Sequence, residues 1–408
     1  MTDIILTLNG GSSSLKFAGF ACESGTRLFG GQYGSLGTAQ ASFEADAGGS
    51  ASQAQTLLGL DHRAACLHLF DWLAQRPGSH PIAAIGHRIV HGGSQHAQPV
   101  VITDATVALL RAVSAYAPAH LPAEIALIDL CSERLPNLMQ VACFDTAFHR
   151  SMPAVARQLP IPRALTEKGI ERFGFHGLSY TFLVGELARQ AGDAAASGRL
   201  VLAHLGSGAS LAAVRNRSSI DTTMGFSTSG GIPMATRSGD LDPGLVFYLA
   251  RTEGMSIEAF QTMVSAESGL RGISGSSGDV RTLLAHAATD PRAALALDYY
   301  CYRIAQAIGA FAVSLEGLDT LVFSGGVGQH AADIRRRICS RLRFLGIELD
   351  DVANADTLPV ISTPTSPITV RVIATDEEAV ICGIVRDMLA KPTTFEGNAT
   401  HGHAAERH

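Results

Sequence analysis

The chain opens with a short apolar run over 4–8, turns through Asn9-Gly10-Gly11-Ser12-Ser13-Ser14, and returns in an apolar run over 15–20. Short apolar runs bounded by glycine and serine predict two strands joined by a tight turn. The arrangement recurs near residue 200. There 200–204 is apolar, Gly206-Ser207-Gly208 turns, and 209–214 is apolar again. Two such units predict two domains of similar design that face each other. A single internal repeat does not make a solenoid, which needs about three or more stacked units.

Apolar periodicity predicts helices over 63–73, 105–115 and 122–132, with strands over 82–85 and 138–144. The second half predicts helices over 178–190, 331–342 and 377–388, and strands over 321–323 and 370–373. A long helix is expected over 290–315, with Asp290 as its N-cap and Pro291 at the first helical position. Mixed strands and helices of this kind indicate an α/β fold. The polar tail over 391–408, histidines included, is expected to be a disordered end and not a metal site.

Composition narrows the class. A length of 408 residues fits two or three domains at roughly 100–200 residues each. The 42 glycines sit in short runs between apolar segments, where they suit tight turns and close approach of backbone to a ligand. Net charge is -6, and Arg335-Arg336-Arg337 is the basic block that stands out. That triplet is expected to be a solvated helix face, and no nucleic-acid partner is expected. Cys22, Cys66, Cys131, Cys143, Cys301, Cys339 and Cys382 are scattered and form no C-x-x-C pair, which points to reduced thiols and no zinc site. The N-terminus lacks the basic start and long apolar stretch of a signal peptide. No uncharged apolar stretch reaches ~18 residues, so no membrane span is expected and a cytoplasmic location is.

Several segments carry candidate chemistry, each with a plain structural alternative. The first turn gathers backbone N–H groups and hydroxyls suited to phosphate oxygens, without Walker A spacing; it also reads as an ordinary hairpin turn. In 86–93, Arg88 lies among His87, His91 and glycines; it either grips a carboxylate or phosphate edge or forms a structural ion pair. Asp145 follows a buried strand as a magnesium contact, a nucleophile contact or a helix cap. His176 sits between aromatics and glycines, as a site residue or a satisfied core histidine. Arg237 lies in a polar loop and either serves a site or pairs with Asp240. Asp279 ends a small-residue loop as a ligand contact or a cap. Residues 325–331 contain G-x-G-x-x-A, with Glu348 and Asp350 downstream at about the 20-residue offset of a dinucleotide fingerprint. Asp376, Glu377 and Glu378 suit either a helix N-terminus or a metal.

Together the strings at 9–16, 86–93, 144–149, 173–177, 236–243, 272–281, 325–328 and 375–378 resemble the acetate kinase family, a branch of the acetate and sugar kinase, chaperone and actin superfamily. The resemblance runs from Ile4 to about Met388. It implies two domains of duplicated actin-like (ribonuclease H-like) fold with the active site in the cleft between them. The first would comprise 1–148 plus 382–408, and the nucleotide-binding domain 149–381. It implies that Arg88 and Arg237 hold the acyl carboxylate and the moving phosphoryl, that His176 hydrogen-bonds that phosphoryl, and that Asp145 belongs to the catalytic centre. Asn9 and Glu377 would serve Mg²⁺, with Mn²⁺ as a substitute. Ser12, Ser14, Lys16, His204, Gly206, Ser207 and Gly208 would face the phosphates of ATP or ADP. Asp279, Val280, Arg281, Gly326, Val327, Gly328, Gln329 and His330 would hold the rest of the nucleotide. Val90, Ala119, Phe175 and Thr228 would line the acyl pocket.

The implied reaction is reversible, ATP-dependent, in-line phosphorylation of acetate to acetyl phosphate, by a homodimer. The alternatives are a kinase for propionate or butyrate, an NAD-linked oxidoreductase, and a chaperone-like or filament-forming ATPase. The chain departs from the family pattern at Ser207, Ala119, Thr228, Ser229, Gly230, Gln329 and His330, which alters the acyl pocket and the nucleotide rim.

Overall fold

The computed structural model of the chain describes residues 2–11, 13–46, 54–76 and 80–390. Ser12 and the histidine-containing tail lie outside the described residues. Eight strands form one sheet: β1 (Ile4–Gly10), β2 (Leu15–Ala21), β3 (Arg27–Gly34), β4 (Gln40–Asp46), β5 (Gln55–Leu58), β6 (Ile82–Ile89), β7 (Val100–Val101) and β8 (Met139–Phe144), in the order β5-β4-β3-β2-β1-β6-β8-β7. A second sheet holds β9 (Leu200–Leu205), β10 (Ala209–Arg215), β11 (Ser218–Thr222), β12 (Thr320–Ser324) and β13 (Thr369–Val372), in the order β11-β10-β9-β12-β13.

The two sheets share a core topology. In the first, β2 runs antiparallel to both β1 and β3, while β6 is parallel to β1 and β8. In the second, β10 runs antiparallel to β9 and β11, while β12 is parallel to β9 and β13. The β3-β2-β1-β6-β8 order thus recurs strand for strand. Both central strands are buried on both faces, which is why they read as continuous apolar runs.

Alternation along each strand decides which helices cover which face. Ile4, Leu6 and Leu8 of β1 pack with Phe17, Phe29 and the helix His62–Gln75, while Ile5 packs with Ile381, Cys382 and Val385 of the helix Glu377–Ala390. A Cβ at Gly86 would come within 2.3 Å of the Ile381 side chain, so only glycine lets that helix lie so close to β6. In the second sheet, Leu200 and Leu202 face Tyr180, Leu183 and Leu187 of the helix Gly177–Ala191. Val201 and Ala203 face the opposite layer, which contains Leu297, Tyr300 and Ile304 of the 24-residue helix Pro291–Ser314. Asp290 caps that helix by accepting from the Arg292 N–H at 2.9 Å, and Pro291 opens it. Among the described residues, no helix is long and apolar enough to cross a membrane.

Each expected element is present, with shifted ends. The strand expected over 82–85 runs Ile82–Ile89, and the helix expected over 331–342 runs Ala332–Ser340. Strands β3, β4, β5, β7 and β11 were not expected. Gly30, Gly31 and Gly34 interrupt the apolar pattern of β3, β7 has only two residues, and β11 reads Ser-Ser-Ile-Asp-Thr.

The basic triplet corrects its expectation in part. Arg336 is exposed, but Arg335 is fully buried. It donates to the carbonyls of Gly328, Gln329 and Asn354 at 2.9, 2.6 and 2.6 Å, and to Asn354 Oδ1 at 2.8 Å. A buried arginine satisfied by helix-end carbonyls leaves the same sequence signature as a solvated one.

Candidate active site

The site begins where β1 and β6 end side by side. Their register sets Asn9 opposite Arg88, and Asn9 also pairs with Lys16 on β2. Arg88 donates from Nε and Nη2 to Asp145 Oδ2 at 3.0 and 2.6 Å, and from Nη1 to the Gly10 carbonyl at 3.0 Å. Asp145 is fully buried and does not cap the turn that follows it; it is the ionic partner of Arg88. Burial works against the Arg88 charge, but Asp145, Glu124 and Glu377 outweigh it, so the guanidinium holds its proton more tightly than in water. Removing one partner of such a buried pair typically costs about 3–5 kcal/mol, because a charge is stranded.

The second half closes over this cluster. His176 adopts a left-handed backbone conformation, φ 61°, just before the helix Gly177–Ala191. The Gly177 N–H donates to the Asp145 carbonyl at 2.9 Å, and a Cβ on Gly177 would sit 2.1 Å from that oxygen. Residue 177 must be glycine for the two halves to meet here. His176 Nδ1 lies 2.9 Å from Ser210 Oγ, which also bonds the Tyr180 hydroxyl at 2.5 Å. His204 stacks on His176 at 4.3 Å and bonds Ser179 Oγ through Nδ1 at 2.8 Å. Burial, His204, Arg88 and Arg237 hold the His176 pKa well below that of a free imidazole, so the ring is neutral near pH 7.

Arg237 is not paired with Asp240. Its Nη1 donates to the Thr228 carbonyl at 3.1 Å, while Asp240 Oδ1 accepts from the Gly231 N–H at 2.7 Å. A Cβ placed on Gly208 would lie 3.5 Å from both Arg237 Nη1 and His176 Nε2, so these two groups border one small space. Burial and the charge of Arg88 lower the Arg237 pKa. Two guanidiniums repelling each other in a low-dielectric cleft make a site that attracts anions.

Asn9 and the acidic helix start also meet. The Asn9 amide donates to Glu377 Oε2 at 2.9 Å and to Glu378 Oε1 at 3.1 Å, while Asp376 Oδ1 caps the helix by accepting from the Ala379 N–H at 2.9 Å. Burial raises the Glu378 pKa, Glu377 adds to the rise, and Lys16 opposes it. Among the described residues, no group of three or more His, Cys, Asp or Glu side chains could hold a metal. One carboxylate and one amide oxygen suit Mg²⁺, which binds few protein ligands and completes its shell with water and phosphate oxygens.

A nucleotide-sized space lies on the second sheet. Two adjoining cavities of about 480 and 390 Å³ share Gly206, Ser207, Asp279, Val280 and Val327. Arg281, Gly326 and His330 line one; Thr236, Arg271, Ser276 and Ser277 line the other. Asp279 is cap and wall together, since its carboxylate accepts from the Arg281 N–H at 3.0 Å. The expected glycine turn after β12 is itself helical, Gly325–His330. Gly328 packs beneath, against Phe323, and the Gly328 and Gln329 carbonyls are taken by Arg335, so neither residue lines the cavities. Lys16 is exposed, and the Ser14 carbonyl closes the first turn by accepting from the Gly11 N–H at 2.8 Å. Of the expected acyl wall, Val90 and Phe175 are buried, Thr228 is half-buried and Ala119 is exposed.

The dinucleotide reading fails on its acidic partners. Asp350 caps the helix Asp351–Ala355, and Glu348 receives the hydroxyls of Thr363 and Thr365. Residues missed from the sequence include Glu124, His120, Ser210 and Arg271, while Ser276 and Ser277 lie in the expected small-residue loop without having been singled out. Glu124 had a readable signal. Leu121, Glu124, Ile125 and Ile128 follow helical spacing on one buried face, so a carboxylate falls on an apolar stripe.

Among known proteins, the model of the Acetokinase family matches residues 4–383. An acetate kinase of Rhodopseudomonas palustris is 43% identical over 389 residues, covering 93% of this chain and 97% of that protein. One from Nitrobacter hamburgensis is 41% identical over 385 residues, covering 93% and 94%. The solved propionate kinase of Francisella tularensis superposes with TM-score 0.88 at 35% identity, covering 94% of this chain and 98% of that one. The acetate kinase of Porphyromonas gingivalis superposes with TM-score 0.84 at 32% identity, covering 95% and 100%.

Proposed function

This chain belongs to the Acetokinase family, and from that membership we propose that it catalyses reversible phosphoryl transfer between ATP and the carboxylate of acetate. The observation that carries the reading is that Arg237 and His176 border one space beside Gly208, near enough to Arg88 of the other half to feel its charge. A carboxylate acceptor is already ionised near pH 7, so no strong base is required. Phosphoryl transfer through a loose transition state calls for alignment and charge stabilisation. Arg88 and Arg237 supply that charge. Asp145 fixes the Arg88 fork. If Ser210 donates to His176 Nδ1, the ring proton sits on Nε2, facing the space beside Gly208, where it can donate to a phosphoryl oxygen. Bound Mg²⁺ would neutralise phosphate charge, and Asn9 and Glu377 are the residues proposed to hold it.

Val90, Ala119, Phe175 and Thr228 are proposed for the acyl group. The exposed Ala119 and the likeness to a propionate kinase favour, as a second reading, a longer short-chain acid. The domain division proposed is 1–148 plus 382–408 and 149–381, one sheet to each part, although the helix Glu377–Ala390 runs across the 381/382 boundary. A cytoplasmic location accords with seven free cysteines. A homodimer accords with the exposed Phe247, Tyr248, Leu295, Tyr299 and Tyr302. The test of function is ADP release from ATP with straight-chain acids of increasing length, using hydroxylamine to trap the acyl phosphate. Hydroxamate formed with acetate is the expected result; ADP release that ignores the acid would overturn the proposal.

A further inference from the structure

The proposed chemistry leaves Glu124 unused, although it touches the same arginine. Its side chain is 2% exposed. Oε2 accepts from the Val90 N–H at 3.0 Å. Oε1 lies 3.5 Å from Arg88 Nη1 and has no hydrogen-bond partner among the described residues. Arg88 is already committed: two of its nitrogens grip Asp145, and Nη1 donates to the Gly10 carbonyl. One guanidinium therefore faces two buried carboxylates. With both ionised, the Arg88 cluster itself would carry two negative charges against one positive at low dielectric and would no longer present a net positive charge to an anionic acid, which is unfavourable.

We propose that Glu124 works as a neutral carboxylic acid and is a positioning residue that keeps the Arg88 charge available to the substrate carboxylate. Oε1 carries the proton, since Oε2 is occupied by the Val90 N–H. When Glu124 loses that proton to solvent, its anion competes with the substrate acid for Arg88. This inference rests on the acyl kinase reading above.

The surroundings agree. Burial pushes the Glu124 carboxyl up to about 8; Arg88 and the Val90 N–H work against the shift, and Asp145 adds to it. The charged and titratable groups around the cluster are Arg88 on β6, Asp145 after β8, His120 at the entry of the Glu124 helix, Glu377 on the C-terminal helix, and Arg237 and His176 across the cleft. Of the two helices packed on the Glu124 helix, His62–Gln75 brings His62, bonded to the Gly11 carbonyl at 2.7 Å, and Arg63, paired with Glu133, while Asp104–Ala112 brings Arg111, paired with Asp129. Burial and the two arginines keep His120 and His176 neutral, so neither supplies a counter-charge for a Glu124 anion. For a raised carboxyl pKa, the neutral form dominates below about 8 and is lost above it.

The test measures KM for acetate and KM for ATP from about pH 7 to about pH 9.5 in the unmodified protein and in Glu124→Gln. Above the break, the unmodified protein should show acetate KM rising about tenfold per pH unit, with ATP KM flat. In Glu124→Gln the acetate rise should vanish. The same rise in both proteins, or a flat acetate KM in the unmodified one, overturns the proposal. Infrared difference spectra without substrate give a readout that needs no turnover. A neutral carboxyl band should be lost on alkalinisation through about pH 8 in the unmodified protein, and that loss should be missing from Glu124→Gln; no loss in the unmodified protein, or the same loss in both, overturns the proposal. If the variant does not fold, the unmodified protein decides by the same two readouts. Absence of acid-dependent ADP release would sink the kinase reading alone, because the infrared result still decides the state of Glu124.

Discussion

The two sheets are built alike, yet equivalent positions carry different chemistry. In the first, Asn9 pairs across the sheet with Lys16 and Arg88. In the second, His204 occupies the matching place and pairs with Ser210 and Ser324. One strand end is thus ringed by charge and the other by neutral polar groups. The strands flanking the first turn end at Gly10 and resume at Leu15, those flanking the second at Leu205 and Ala209, and Gly206 and Ser207 of the second turn border the two adjoining cavities. Duplication supplies a backbone with an open strand end; the residues at three register positions set whether that end is charged or neutral.

Arginine replacement should give the largest effect. Arg88→Ala and Arg237→Ala should each lower kcat by about 10³–10⁵-fold, as loss of an arginine at a phosphoryl-transfer centre does. Stability should separate them. Arg88→Ala strands the buried Asp145 and should cost about 3–5 kcal/mol. Arg237 donates to the Thr228 carbonyl, with no carboxylate partner among the described residues, so its loss should cost less. The double variant Arg88→Ala/Asp145→Asn should recover much of the stability and none of the activity. Urea unfolding beside single-turnover rates checks both parts, and equal destabilisation by the two arginine variants would contradict the assigned asymmetry.

His176 comes next. Loss of one oriented donor typically costs about 10²–10³-fold in kcat, so His176→Gln should fall in that range. The sign of its pH dependence follows from its lowered pKa. The neutral ring persists well below the ordinary imidazole range, so kcat should show no break as pH falls through about 6.5. A break there that vanishes in His176→Gln would mean that an imidazolium takes part.

These contrasts were unequally visible in the sequence. The strand–turn–strand repeat was legible because β1, β2, β9 and β10 are buried on both faces and read as apolar runs. Strand β11 was not, since its polar residues are held by pairing with β10 and not by their own pattern. Arg88, Asp145 and His176 stood out as polar residues set among apolar ones. That Arg88 pairs with Asp145, and Asn9 with Glu377 across 368 positions of chain, is a property of register and packing that no local pattern encodes. Arg335 shows the reverse failure, because three of its partners are backbone carbonyls, which leave no trace in residue type, and none is a carboxylate.

A smaller effect is expected at the acidic helix start. Glu377→Gln should raise the Mg²⁺ concentration for half-maximal rate, because one charged oxygen leaves the proposed ion site while the Asn9 contact geometry survives. Glu378→Gln should change it less, since Glu377 and not Glu378 is the carboxylate proposed for the ion, and burial with Glu377 beside it pushes the Glu378 pKa up. Magnesium titrations of both variants decide the order, and equal shifts would place the ion between the two carboxylates.

The smallest effect, and the sharpest test of separate duties, lies at Asp279. Its carboxylate accepts from the Arg281 N–H at 3.0 Å and from the Thr282 hydroxyl at 3.3 Å, and the residue also lines both cavities. Burial raises its pKa, but those hydrogen bonds and Arg281 lower it by more, so it stays ionised near pH 7. Loss of a helix N-cap usually costs about 0.5–2 kcal/mol, so Asp279→Ala should lower Tm by a few degrees. Asp279→Asn keeps a capping oxygen and should lose little of that stability. If the carboxylate meets the nucleotide, both variants should raise KM for ATP by about three- to tenfold, the size expected for one partly exposed hydrogen bond. KM for the acid should stay unchanged, because none of the residues proposed for the acyl group lines these two cavities. A normal ATP KM in Asp279→Asn would reduce Asp279 to a cap. A matching rise in acid KM would show that the acyl site and the two cavities are coupled, and the division of labour between them would fail.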